Sequence, residues 1–134
     1  MGSEMCIRDR LTTINDEKTI FATNTSSLSV TSIGSKILRP DRFLGMHFFN
    51  PAPVMKLVEI INTSYTNEQT IRTMIDLARQ MRKVPVMCKD SPGFIVNRVA
   101  RPYYIESLRL IEEGNVGIET VSYTHLTLPT ICSV

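Results

Sequence analysis

Apolar positions fall along the chain in two patterns, short continuous runs and helical spacing. Residues 19–23 (TIFAT) are β-branched and aromatic and run into the polar cluster 24–27, as where a strand ends at a loop. Val30, Ile33 and Ile37 follow at helical spacing behind Ser29, a natural N-cap, and Pro40 stops the segment, so the spacing predicts a helix of about two turns. Two further apolar runs, 43–49 (FLGMHFF) and 55–61 (MKLVEII), read as strands separated by the rigid turn Asn50-Pro51-Ala52-Pro53. The period then changes. Ile71, Met74, Ile75, Ala78 and Met81 follow a capping box of Thr66 and Gln69, predicting a helix that ends near Lys83. Residues 84–88 give another short strand, with Cys88 as a buried strand thiol. Residues 89–93 (KDSPG) form a turn cluster suited to a domain boundary. Beyond it, 94–113 is helical in period, with a kink expected at Pro102 and a stop at Gly114.

This order of elements is an α/β pattern that hands over to an all-helical one. The two ends share none of it. Residues 1–12 and 121–134 are expected to be non-native flanks, and His125 is set aside with them.

Composition narrows the class. At 134 residues, 43% apolar and 21% charged, the chain suits one domain with a modest core, or a piece of two. The net charge is only +2 and the basic residues are scattered, so no nucleic-acid partner is expected. No apolar run approaches the roughly 20 residues of a bilayer span and the start shows no signal pattern, so no membrane partner and a cytoplasmic location are expected. Cys6, Cys88 and Cys132 are odd in number and lack ligand spacing, which argues against disulfides and against a metal site.

Chemistry concentrates on the two strands around the Asn-Pro-Ala-Pro turn. His47 and Glu59 lie twelve residues apart, one on each. An imidazole suits proton transfer near neutral pH, and a carboxylate on one ring nitrogen sets its tautomer and stabilises the imidazolium. Taken singly, each also reads structurally: a histidine beside Phe48 and Phe49 as a core residue, a strand glutamate as a solvated or paired one. Ser26, between a strand and a helix, could donate its hydroxyl or sit near an anion, but from the residues alone it reads first as a turn or cap. Asn97, in the long helix, costs helix propensity, as a residue kept for a hydrogen bond or a surface position does.

Three longer stretches go further. TNTSSLS at 23–29, RFLGMHFFNPAPVMKLVE at 42–59 and KDSPGFIVNR at 89–98 resemble the L-3-hydroxyacyl-CoA dehydrogenase family, in the right order and over roughly residues 13–120. The resemblance implies the C-terminal part of a Rossmann-type NAD-binding domain at 13–90, followed at 91–120 by the first helix of an all-α dimerisation domain. It implies His47 as the catalytic base and Glu59 as the carboxylate that orients it. Ser26 is implied near the substrate hydroxyl and the cofactor, Asn97 on the substrate side and Asn50 beside the nicotinamide. The reaction implied is oxidation of L-3-hydroxyacyl-CoA to 3-ketoacyl-CoA with NAD, or its reverse, in fatty-acid or butanoate metabolism, by a homodimeric parent protein with an acyl-CoA substrate. The family's GxGxxG phosphate loop and its ribose-binding acid have no counterpart here. The isolated chain is therefore expected to be inactive and, with a strand edge and an apolar face uncovered, unstable or aggregating. Two other readings stay open: a non-catalytic structural or acyl-CoA-binding relative that keeps the pair without turnover, and another dehydrogenase of the wider superfamily.

Overall fold

The computed structural model describes residues 10–121 except 12 and 115. Cys6, His125, Cys132 and most of both end segments lie outside the described residues. The chain divides into two units, Met1–Phe94 and Ile95–Val134, and the boundary falls just after the KDSPG turn.

The described part of the first unit is a sheet with strand order β1 (Phe21–Thr23), β2 (Phe43–Phe48), β3 (Leu57–Asn62) and β4 (Val84–Lys89). Strand β1 pairs with β2 in parallel, β2 with β3 antiparallel and β3 with β4 in parallel. Connection length explains this mixture. Only residues 49–56 join β2 to β3, enough for a reversal, whereas the parallel pairs are linked through helices α1 (Val30–Gly34) and α2 (Glu68–Gln80). Pro85 cannot donate to a ladder and accordingly sits on β4, at the edge of the described sheet.

Register sorts the side chains onto two faces. Phe43, Gly45 and His47 of β2 share one face with Glu59, Ile61 and Cys88. There Phe43, Ile61 and Cys88 pack with Val30, Ile37 and Phe94 under α1. On the opposite face Leu44, Met46, Val58 and Ile60 pack against Met74 and Ala78 of α2. Leu44, Val58 and Ile60 are wholly buried, each contributing about 2 kcal/mol. Gly45 lets α1 lie close: a Cβ there would meet Val30 and Ile61 at 3.0 Å.

Three local expectations need correction. The capping box at Thr66 and Gln69 does not form: Asn67 is the N-cap of α2, its side chain accepting from the Thr70 N–H at 2.7 Å. Thr66 is otherwise engaged, its hydroxyl donating to the Phe43 carbonyl at 2.6 Å and accepting from the Thr63 N–H. Helix α2 ends at Gln80, not near Lys83, because Arg82 turns left-handed at φ 58°. Helix α1 stops at Gly34, short of two turns. Gly34 abuts the Phe43 ring, and Ile37 reaches the core from beyond the helix end. Ser29 is its N-cap as expected, accepting from the Ser32 N–H.

The second unit contains α3 (Val96–Glu112) and α4 (Ile118–Val121). Helix α3 carries Pro102 in its interior and ends at Glu112, with Gly114 just beyond it in the left-handed region at φ 71°. Helix α4 was not foreseen, and its last residue, Val121, is buried. Among the described residues no helix is long and apolar enough to cross a membrane.

Candidate active site

Strand register brings the two ionisable groups together. His47 and Glu59 are direct cross-strand partners in the β2–β3 ladder, so their side chains leave the sheet side by side. The His47 Nδ1 to Glu59 Oε2 distance is 2.8 Å, and the residues are only 5% and 1% exposed. Toward a carboxylate, which can only accept, Nδ1 is the donor, and in a neutral ring Nε2 is then the acceptor. Nε2 lies 3.2 Å from the Ser26 hydroxyl. That hydroxyl donates to neutral imidazole and accepts from imidazolium, so it serves both protonation states.

The surroundings restrict water and motion. The imidazole has Phe49 edge-on at a centroid distance of 4.8 Å and Phe94 tilted at 5.6 Å. Phe94 is buried in the left-handed region, at φ 48°, an uncommon conformation for a bulky side chain. Behind Glu59, burial pushes the Cys88 thiol up to about 11, and the Glu59 carboxylate adds to the effect. Cys88 is thus a neutral wall of the site at physiological pH.

Two polar residues that read in the sequence only as members of loop and turn clusters hold the loop that presents Ser26. The Asn24 side chain accepts the Phe48 N–H at 2.9 Å, tying the exit of β1 to the end of β2. Asp90, just after β4, accepts from the Ser29 hydroxyl and the Thr31 N–H, both at 2.8 Å, and from the Val30 N–H at 3.1 Å. Burial alone would raise the Asp90 carboxyl, but these bonds outweigh it and hold it below the usual carboxylate range. No local pattern reveals either role, since the partners lie 24 and about 60 residues away.

Of the remaining candidates, Asn50 is exposed at the carboxyl end of β2, followed by a cis peptide bond to Pro51. Asn97 belongs to the second unit, half-buried on the first turn of α3. The acid–base cluster is built entirely by the first unit. The residues present suit the nicotinamide end of a dinucleotide. Ser26 and Asn50 are exposed, uncharged groups beyond the carboxyl ends of adjacent parallel strands, where α/β sheets bind their ligands, and the carboxylate is buried behind the imidazole.

A histidine–carboxylate pair at the ligand-binding edge of such a sheet makes a candidate acid–base centre on a dinucleotide-binding type of α/β fold. The sequence matches the family model "3-hydroxyacyl-CoA dehydrogenase, NAD binding domain" over residues 6–91. The chain belongs to that family. It is similar to the mitochondrial hydroxyacyl-coenzyme A dehydrogenase of Homo sapiens, 52% identical over 112 residues that cover 84% of this chain and 36% of the relative. The 3-hydroxybutyryl-CoA dehydrogenase of Clostridioides difficile is 48% identical over 105 residues, 78% of this chain and 37% of the relative. The crystal structure of (S)-3-hydroxybutyryl-CoA dehydrogenase from Ralstonia eutropha superposes with a TM-score of 0.83 at 41% identity, covering 87% of this chain and 41% of that one. The chain thus spans little more than a third of the length of these two curated relatives.

Proposed function

We propose that the protein carrying these residues interconverts an L-3-hydroxyacyl-CoA and the corresponding 3-ketoacyl-CoA with NAD, in fatty-acid or butanoate metabolism. The observation that carries the reading is His47, buried between Glu59 on one ring nitrogen and Ser26 on the other. In oxidation Nε2 of His47 takes the proton of the 3-hydroxyl, and Glu59 stabilises the imidazolium that results. In reduction the imidazolium returns that proton to the carbonyl oxygen. NAD, when bound, accepts or supplies the hydride at C3. Ser26 orients the reacting oxygen and borders the cofactor, Asn50 lies on the nicotinamide side, and Asn97 serves the substrate.

A homodimer through the helical unit agrees with the exposed apolar residues Val99, Ile105 and Leu108 of α3. For the compartment, the cytoplasm remains the reading, although the human relative is named as mitochondrial. Fractionation of the source cells separates the two.

The test is consumption of NADH in the presence of acetoacetyl-CoA by the whole protein. His47→Gln should lower kcat by about 10²- to 10⁴-fold, the contribution of a positioned acid–base group. Turnover at the wild-type rate in that variant would end the proposal.

A further inference from the structure

Ser26 reaches His47 from a loop that belongs to no regular element. Residues 24–29 leave β1 and enter α1, and they are tied at three points. Asn24 is fixed to the Phe48 N–H at the start, Ser26 meets Nε2 of His47 in the middle, and Asp90 takes the far end. Asp90 is more than a helix cap. Ser29 already accepts from the Ser32 N–H, and α1 has only five residues. What Asp90 adds is long-range: both its carboxylate oxygens are used, and the donors at Ser29, Val30 and Thr31 lie 61, 60 and 59 residues back along the chain. It joins the end of β4 to the point where the loop becomes helix. Only three residues separate Ser26 from Val30, so the loop has little slack with which to absorb a shift at that end.

We propose that Asp90 is a positioning residue, whose carboxylate anchors the end of the 24–29 loop and thereby holds the Ser26 hydroxyl at Nε2 of His47. Misplacing a reacting group by about 1 Å can cost on the order of 10²-fold in rate, so an anchor remote from the chemistry acts on it through geometry. The catalytic meaning rests on the acid–base reading of His47; the geometric claim does not.

Nitrogen-15 spectra of the histidine ring nitrogens in the whole protein provide the test. His47→Gln, which removes the ring, assigns the two signals of His47. Ser26→Ala gives the displacement of the Nε2 resonance when the hydroxyl is lost. Asp90→Ala should displace it in the same direction by at least half as much. Asp90→Asn, which keeps one oxygen acceptor, should displace it less, and the double variant with Ser26→Ala no further than Ser26→Ala alone. A lowered melting temperature with Nε2 at its wild-type position, or additive displacements in the double variant, overturns the proposal. Should Asp90→Ala fail to fold, Asp90→Asn alone and combined with Ser26→Ala decides by the same criteria. Turnover plays no part in this readout, so failure of the functional reading and failure of the anchor are told apart.

Discussion

His47 and Glu59 are held together by strand pairing: they face each other directly in the antiparallel ladder of β2 and β3. A slip of one residue would send the two side chains to opposite faces of the sheet. The contact therefore lasts as long as the ladder does. Glu59→Gln keeps the size of the side chain and removes its charge. The expected result is a fall in kcat on the order of 10²-fold with KM little changed, because the lost interaction is strongest when the imidazole is charged. Steady-state kinetics on the whole protein check this.

Asp90 makes stability depend on acid. Its folded-state carboxyl lies below the ordinary value, so the stabilisation it provides is complete above the unfolded pKa of about 4 and is lost as pH falls through the lower, folded value. Thermal melts should show wild type more stable than Asp90→Asn by a constant margin at neutral pH. That margin should shrink on acidification below about pH 4.

Cys88 behaves in the opposite sense. With its thiol pushed up to about 11, mainly by burial, it stays protonated at neutral pH, and thiolate is the reactive form. Alkylation of Cys88, followed by mass spectrometry of its peptide, should be slow in native buffer and accelerate with denaturant. Native labelling as fast as that of a free thiol would contradict the burial. The folded form should also lose stability as pH rises from about 9 toward about 11, a loss that Cys88→Ala removes.

Lys83 is the strap of the turn between β2 and β3. Its ammonium donates to the carbonyls of Ala52, Pro53 and Met55, the last at 2.7 Å. Lys83→Met preserves the aliphatic stem and removes these bonds, at a cost of about 1–2 kcal/mol. The midpoint of urea denaturation measures this cost, and hydrogen exchange at Val54 and Met55 should quicken.

Contacts close in sequence were legible, and distant ones were not. Ser29 is recognisable as a cap because the N–H it accepts from is three residues on, and 43–49 and 55–61 are recognisable as strands because they are short, continuous apolar runs. Thr66 misleads because its hydroxyl is drawn to a carbonyl 23 residues away, leaving the cap to its neighbour Asn67. Asp90 looks like turn chemistry until Ser29, Val30 and Thr31 are folded against it. For the site itself, spacing places His47 and Glu59 on successive strands; only the register makes them touch. The longer stretches of sequence around them supplied the rest.

The alternation of faces along β2 gives this protein two separate mutational channels on one strand. Leu44 and Met46 pack against α2, while Gly45 and His47 lie on the opposite face, Gly45 close against Val30 of α1. Conservative exchanges at the even positions can tune how firmly the sheet is clamped without touching the His47–Glu59 contact. Exchanges at the odd positions meet α1 or the His47 imidazole at once. Adaptation to heat or cold can therefore proceed letter by letter beside an unchanged histidine, which makes the even-numbered positions of this strand the first place for an engineer to work.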